Sequence, residues 1–205
     1  MLDRLRARLE SNLQSVGKWF AHLESSPTSW TMVGFLVSVL AAAAYSTSGF
    51  RGEAVGGVLV LVAGWFDIVD GAVARVTGRT SRRGAFLDST LDRVAEVAVF
   101  AGILLGGYSP PILVLLALSF SLLVSYTRAK GDALGVALSG VGIGERSERL
   151  LILAILSIAG LAFWGVLLVL IVALYTFLQR TIRGVVLLKG SNGRPTPELS
   201  QTSHP

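Results

Sequence analysis

Cysteine is absent from this sequence, and histidine occurs only twice. Without cysteine the chain has neither disulfide bonds nor thiolate metal ligands. Charged residues are also scarce, at 15% of the 205 residues, whereas 52% of the residues are apolar and the mean hydropathy is +0.66. This composition excludes an ordinary soluble domain and indicates an all-α membrane protein.

Long apolar runs predict six transmembrane helices. We place them at residues 28–46, 53–76, 84–108, 112–128, 149–162 and 164–188, within one membrane domain over residues 26–189. In residues 1–25, apolar side chains recur every three or four positions between charged ones, which predicts an amphipathic helix lying in the membrane interface. The polar, proline-bearing residues 190–205 predict a disordered cytoplasmic tail.

Positive charge lies almost entirely on one side of the predicted spans. Of the 18 lysines and arginines, all except Arg51 fall on the side that holds both termini. By the positive-inside rule this side faces the cytoplasm. We therefore expect a multi-pass protein of the cell (plasma) membrane with its functional site at the cytoplasmic face, and we expect its basic residues to meet membrane lipids and not nucleic acid.

Four aspartates, Asp67, Asp70, Asp88 and Asp92, lie where the second predicted span ends and the third begins. Spacings of three and four residues place each pair on one helix face, and we expect the two helices to pack antiparallel with both pairs at the same end. Each aspartate costs about 2.5–3.5 kcal/mol inside a membrane. Two divalent cations would cancel the four charges, and oxygen ligands favour Mg²⁺ or Mn²⁺. Paired ions of this kind serve displacement at phosphorus.

Two other interpretations of the aspartates remain open. They could form a solvated helix end, or they could be the carboxylate relay of a cation-binding membrane carrier. A transport path needs ionisable groups spread through the depth of the membrane. The turns on the opposite side, GGYSPP and GLAFWG, carry no charge, which weighs against the carrier.

The aspartates belong to a longer pattern, which reads Asp67-x-x-Asp70-Gly71-x-x-Ala74-Arg75, eight residues, and then Gly84-x-x-x-Asp88-x-x-x-Asp92. This pattern resembles the signature of the CDP-alcohol phosphotransferase family at every fixed position. The resemblance implies transfer of a phosphatidyl or archaetidyl group from a CDP-linked lipid, CDP-diacylglycerol or CDP-archaeol, to an alcohol, with release of CMP. It also implies that all four aspartates bind two metal ions, Mg²⁺ or Mn²⁺, and that Asp92 is the catalytic general base.

The same resemblance implies the residues that bind the CDP-lipid, which are Pro27, Thr28, Gly71, Ala74, Arg75 and Gly84. Thr28 stands where members of the family often have asparagine. The family further implies a homodimer. Within the sequence, Gly102 and Gly106 form the small-residue step that would allow close helix packing.

Further along the chain, arginines recur in the segments SYTRAK, GERSER and LQRTIR. The first two segments resemble the branch of the family that uses inositol 1-phosphate as acceptor, and its archaeal form more than its bacterial one. This resemblance implies that the acceptor phosphate is held by Arg128, Arg146, Arg149 and Arg180 or Arg183. We expect Arg149 to begin the fifth span, where helix amides would add to the anion site. The closest enzyme alternative is a phosphatidylglycerophosphate-type synthase that uses glycerol 3-phosphate.

Overall fold

The computed structural model describes residues 27–78 and 81–191, with side chains for residues 28–78 and 81–189. These residues form six helices and no strand: α1 (Pro27–Ser46), α2 (Phe50–Thr77), α3 (Arg82–Leu105), α4 (Pro111–Ala133), α5 (Arg146–Ile158) and α6 (Ala162–Ser191). The all-α prediction is confirmed. The amphipathic helix predicted over residues 1–25 and residues 192–205 of the predicted tail lie outside the described residues.

Four of the six helices are long and apolar enough to cross a membrane, and they are α1, α2, α4 and α6. Helix α3 has 24 residues but carries six charged ones near its start, Asp88 and Asp92 among them. Helix α5 has 13 residues, which span about 20 Å at 1.5 Å per residue, whereas the hydrocarbon core of a bilayer is about 30 Å thick. Length and composition thus support four spans and leave α3 and α5 as shorter or more polar elements.

Proline and serine define where several helices begin. Pro27 and Pro111 are the first residues of α1 and α4, a position that tolerates proline because its missing N–H would have no partner in the helix. Ser81 caps α3, since its Oγ accepts a hydrogen bond from the Gly84 amide at 2.9 Å. Helix α2 ends at Gly78, whose φ of +64° is the left-handed conformation that favours glycine.

Helix α1 packs against both α2 and α3, while α2 and α3 do not pack along their length. The prediction that these two consecutive helices pack on each other is therefore wrong. Small residues explain the arrangement, because a Cβ at Gly102 of α3 would lie 2.3 Å from the carbonyl oxygen of Ala42 in α1. Gly106 similarly lies against the carbonyl oxygen of Tyr45. The glycines expected to support a dimer are thus covered within the chain.

The remaining helices, α4, α5 and α6, join the rest of the structure mainly through contacts of α5 with α2. Helix α5 packs on α2 and on α6, and α4 packs on α6. Gly57 permits the contact between α2 and α5, since a Cβ there would lie 2.7 Å from the Ala154 carbonyl oxygen. The core that results includes Tyr45, Phe100 and Leu153, all buried. This packing leaves a gap between α2 and α3, and the acidic residues line it.

Candidate active site

Three of the four aspartates come together at the end of α2 and the start of α3. One carboxylate oxygen from each of Asp67, Asp70 and Asp88 lies within 4.8 Å of the others. Asp70 is buried, with 7% of its surface exposed. At such separations and an effective dielectric constant of about 20, each pair of carboxylates repels by about 3.5 kcal/mol, or about 10 kcal/mol for three pairs. A total of that size is comparable with the stability of a whole domain, so a nearby cation or a bound proton must relieve the repulsion.

The residues present fit a hard divalent cation. The three side chains offer only carboxylate oxygens, the ligand type that Mg²⁺ and Mn²⁺ prefer. The Oδ1 atom of Asp88 is buried and has no hydrogen-bond partner among the described residues, whereas buried polar atoms in proteins normally have one. No ion pair joins Asp67, Asp70 or Asp88 to an arginine or lysine in the described ranges. A bound cation would satisfy both the orphaned oxygen and the charge.

Asp92 has a different environment from the other three aspartates. Its Oδ1 atom lies 2.8 Å from Nη1 of Arg146, at the start of α5, and its Oδ2 atom lies 3.7 Å from Nη1 of Arg93. Its side chain is 20% exposed. The structure therefore separates a group of three carboxylates from a fourth that is paired with arginine, although all four lie around the same opening.

Two cavities meet at this site. The first has a volume of about 270 Å³, lies between α1, α2, α3 and α5, and is walled mainly by apolar side chains such as Phe35, Leu61 and Val99. The second has a volume of about 430 Å³ and is lined mainly by charged and polar residues of α3, α4, α5 and α6. Four residues line both cavities: Asp67, Asp92, Arg146 and Ser147. The aspartates thus stand at the junction between an apolar space and a polar one.

Several arginines line the polar cavity together with three of the four aspartates and with Asp132 and Glu145. Arg128, Arg146, Arg149 and Arg180 line it, whereas the exposed Arg183 does not. Arg128 is the most accessible of the four, with its side chain 46% exposed and 3.9 Å from Glu145. Of the five arginines that the sequence pointed to, the structure brings four to one cavity.

Arg149 differs most from its expected position. Helix α5 begins three residues earlier than predicted, at Arg146, and the Glu148 carboxylate accepts the backbone N–H of Glu145 at 2.9 Å. The amide at the helix cap is therefore already bonded, and the prediction that Arg149 begins this helix is wrong. The Arg149 guanidinium is 1% exposed and donates to the carbonyl oxygen of Gly144 at 2.6 Å.

The Arg149 guanidinium is also paired with Glu96, which sequence analysis assigned to Arg93 as a partner. Its Nη2 atom lies 3.4 Å from Oε1 of Glu96 on α3, and it donates to the Ser121 carbonyl oxygen on α4 at 3.3 Å. Glu96 is buried as well, at 1% exposure. Arg149 therefore ties α3, α4 and α5 together at the wall of the polar cavity, and Glu96 balances its charge.

Arg180 plays a similar part on α6. Its Nε and Nη1 atoms donate to the carbonyl oxygens of Val141 and Val124 at 2.9 and 3.0 Å, and its Nη2 atom lies 3.8 Å from Glu145. These bonds hold the segment before α5 against α4 and α6. Arg180 thus shapes the wall of the polar cavity while adding positive charge to it.

The residues expected at the CDP-lipid lie near the starts of α1 and α3 and the end of α2, and the linings of the two cavities do not include them. Thr28 and Gly84 come together, because a Cβ at Gly84 would lie 3.9 Å from the Thr28 Oγ1 atom. Arg75 folds back over Gly71, where a Cβ would lie 3.5 Å from the Arg75 Nη1 atom. Pro27 begins α1 and Ala74 is half-buried on α2. The starts of α1 and α3 therefore flank the end of α2.

Sequence reasoning missed Thr31, whose hydroxyl donates a hydrogen bond to Oδ2 of Asp70 at 2.7 Å. The available signal was its position, one helical turn after Thr28 on the same face of α1. It also missed Ser147, which lines both cavities. Hydroxyl side chains are common in helices, so neither residue was given a functional role before the helices were placed.

Comparison with known proteins agrees with this geometry. The family described as CDP-alcohol phosphatidyltransferase matches residues 25–188. An archaetidylinositol phosphate synthase of Pyrococcus horikoshii is 36% identical over 180 residues, which cover 88% of this chain and 94% of the relative. A crystal structure of Mycobacterium tuberculosis phosphatidylinositol phosphate synthase with CDP-DAG bound has a TM-score of 0.72 at 27% identity and covers 84% of this chain and 92% of its own.

A second structure of the mycobacterial enzyme, in complex with manganese and citrate, matches with the same TM-score of 0.72 and covers 84% of this chain and 88% of its own. Together with the apolar helices, these matches identify an integral membrane protein and a transferase. The signature aspartates lie inside the matched range. The chain therefore belongs to the CDP-alcohol phosphatidyltransferase family.

Proposed function

We propose that this protein transfers a phosphatidyl or archaetidyl group from a CDP-linked lipid to inositol 1-phosphate and releases CMP. The observation that carries the proposal is the position of the carboxylates at the junction of the apolar cavity and the polar cavity, which four of the predicted arginines line. A lipid donor and a phosphorylated, water-soluble acceptor need two such spaces that meet at the reacting phosphorus. The relatives whose names specify an inositol phosphate product support the choice of acceptor.

In this reaction the acceptor hydroxyl oxygen forms a bond to the lipid-side phosphorus of the donor, and the bond from that phosphorus to the oxygen of CMP breaks. We assign Asp92 as the general base that takes the hydroxyl proton, because it lines both cavities. Arg146, 2.8 Å from Asp92, holds the carboxylate in place. The chain has no cysteine, and its two histidines, His22 and His204, lie outside the described residues.

We assign Asp67, Asp70 and Asp88 to a divalent metal centre, and Asp92 to the shell of a second ion. When bound, Mg²⁺ or Mn²⁺ would neutralise charge on the diphosphate and stabilise the leaving oxygen. The chain's own contribution is to hold three carboxylates within 4.8 Å of one another before substrate arrives. The manganese-containing structure of the mycobacterial relative supports the choice of ion.

For the donor, we propose that the CDP moiety lies over Gly71, Ala74 and Arg75 and reaches Thr28 and Gly84. Neither Gly71 nor Ala74 carries a bulky side chain, so a ligand can approach the helix there. A lipid chain of either kind, acyl or isoprenoid, would enter the apolar cavity beside these residues. Pro27 fixes the start of the helix that carries Thr28.

For the acceptor, we propose that Arg128 and Arg146 contact the phosphate, while Arg149 and Arg180 hold the buried wall of the cavity in place. Arginine suits this role because its guanidinium can contact two phosphate oxygens at once. Glycerol 3-phosphate presents the same phosphate and is the second candidate, since the arginines of the polar cavity would bind it equally well. The two acceptors differ in the number of hydroxyl groups they offer to the polar lining.

An acceptor screen tests the proposal. Purified protein receives labelled CDP-lipid, Mg²⁺ or Mn²⁺, and inositol 1-phosphate, free inositol or glycerol 3-phosphate in separate reactions. We expect CMP release and a lipid product with inositol 1-phosphate above the other two. Faster turnover with glycerol 3-phosphate would assign the protein to the alternative reaction. CMP release with none of them, combined with dissipation of a metal-ion gradient in liposomes, would overturn the enzyme proposal in favour of a carrier.

We further propose that α3 and α5 also cross the membrane, which gives six spans in the plasma membrane with the aspartates at the cytoplasmic face. Because the chain has no cysteine, single cysteines can report the topology. Ser48→Cys, between α1 and α2, should react with an impermeant thiol reagent from outside intact cells, and Lys130→Cys only after the cells are opened. The reverse pattern would invert the orientation.

A homodimer remains our expectation. Because Gly102 and Gly106 are covered by α1, its interface would have to use another helix surface. Crosslinking in native membranes checks this directly, and a chain that stays monomeric at every crosslinker concentration would exclude a dimer.

A further inference from the structure

Helix α1 carries no acidic residue, yet it contacts the acidic group. The Thr31 hydroxyl donates a hydrogen bond to Oδ2 of Asp70 at 2.7 Å, across the interface between α1 and α2. Asp70 is the most buried of the three clustered aspartates. The hydrogen bond from Thr31 is part-buried, and a short bond to a charged acceptor is stronger than one between neutral groups.

The packing of α1 on α2 fixes the position of this hydroxyl. The rings of Trp30 and Phe66 stack with centroids 5.9 Å apart and an interplanar angle of 9°. One turn further along α1, a Cβ at Gly34 would lie 3.2 Å from Cβ of Phe66. Phe66 is one helical turn before Asp70, so these contacts bring Thr31 level with that carboxylate. Threonine is β-branched and has few χ1 rotamers, which limits the motion of the hydroxyl.

We propose that Thr31 is a positioning residue for the metal ligand Asp70, an inference that rests on the proposed function. A carboxylate has about four lone-pair sites on two oxygens. The Thr31 hydroxyl occupies a site on one oxygen and thereby fixes the rotation of the group, so that the second oxygen is presented to a cation without reorganisation. Hydrogen bonds of this kind to ligating side chains typically change metal affinity or activity by about 10- to 100-fold.

Direct measurement of Mn²⁺ binding tests the proposal without relying on turnover. Thr31→Val removes the hydroxyl and keeps the shape of the side chain, whereas Thr31→Ser keeps the donor. We expect Thr31→Val to raise the dissociation constant for Mn²⁺ by about 10-fold or more, measured by the electron paramagnetic resonance signal of free Mn²⁺. We expect Thr31→Ser to bind Mn²⁺ nearly as well as the wild type.

Thr90→Val is the matched control, because the Thr90 hydroxyl lies two residues from Asp88 but donates to the Phe86 carbonyl oxygen of its own helix. This variant should bind Mn²⁺ as the wild type does. Melting in EDTA checks that each variant is folded, and Thr31→Ala replaces Thr31→Val if the latter does not fold.

Unchanged Mn²⁺ affinity in Thr31→Val, or an equal loss in Thr31→Ser, would overturn the role of Thr31. Two further outcomes separate this inference from the proposed function. Wild-type protein that binds Mn²⁺ but releases no CMP with any acceptor would overturn the proposed function alone. A Thr31→Val protein that keeps both Mn²⁺ affinity and CMP release would overturn the Thr31 inference alone.

Discussion

Replacement of Glu96 by leucine should destabilise the protein far more than an ordinary helix substitution. Glu96 and Arg149 are about 1% exposed and form an ion pair at 3.4 Å between α3 and α5. Loss of one member leaves the other as an unpaired buried charge, which typically costs about 3–5 kcal/mol. The guanidinium keeps its bonds to the carbonyl oxygens of Gly144 and Ser121, so we expect a cost near the lower limit, about 3 kcal/mol.

Thermal unfolding in detergent micelles, followed by circular dichroism at fixed metal concentration, measures this cost. For a chain of this size, about 3 kcal/mol corresponds to a decrease in Tm of roughly 6–12 °C. Asp132→Asn is the control, because Asp132 is an exposed carboxylate near the end of α4 and its loss should change stability by less than about 0.5 kcal/mol.

A double-mutant cycle then isolates the interaction. Arg149→Met leaves Glu96 as an unpaired anion and also removes the donor to Gly144, so it should cost at least as much as Glu96→Leu. In the double variant Glu96→Leu/Arg149→Met no buried charge remains, and its cost should be smaller than the sum of the single costs by about 2 kcal/mol or more. Additive costs, or a Glu96→Leu variant that melts with the wild type, would refute the buried ion pair as a structural element.

Three further outcomes follow from the site. Asp92→Asn should abolish CMP release. The affinity for CDP-lipid, measured by ligand-dependent thermal shift, should stay within a factor of about three, because the group of three carboxylates is intact. Loss of CDP-lipid binding with turnover intact would contradict this prediction. Asp70→Asn should raise the Tm of the metal-free protein, since it relieves carboxylate repulsion. It should also reduce the increase in Tm that Mn²⁺ causes. A lower Tm for the metal-free variant than for the metal-free wild type would count against carboxylate repulsion. Arg128→Gln should raise the acceptor KM at least 10-fold and leave the donor KM nearly unchanged. Arg183→Gln should change neither KM. Equal effects of the two variants would show that the acceptor phosphate does not bind at Arg128.

The sequence alone predicted the acidic group because the information is local. Spacings of three and four residues place aspartates on one helix face whatever the helix packs against, and in the structure Asp67, Asp70 and Asp88 do approach one another. The same reasoning could not separate Asp92 from them. Which arginine reaches Asp92 depends on where α5 begins, and that start is set by Glu145 and Glu148, three residues before the predicted one.

The prediction that α2 and α3 pack on each other was wrong for a related reason. A short turn between two apolar helices favours their direct contact, but it does not exclude a third helix between them. Gly102 lets the backbone of α1 pack closely on α3, and α1 packs on α2 as well. The contact between Thr31 and Asp70 also depends on how α1 packs, because a hydroxyl on α1 can reach Asp70 only when α1 lies against α2.

The division of the aspartates into three and one has a chemical consequence. Arg146 already balances Asp92 at 2.8 Å, so a cation is drawn most strongly to the three carboxylates that have no arginine or lysine partner among the described residues. A base must remain free to accept a proton, and a carboxylate with all its lone pairs on metal ions accepts one poorly. Arg146 holds Asp92 from the side of the polar cavity, where the acceptor hydroxyl would arrive. We therefore expect the pair with Arg146 to distinguish Asp92, which acts as the base and also borders the second ion, from the three aspartates that only bind metal.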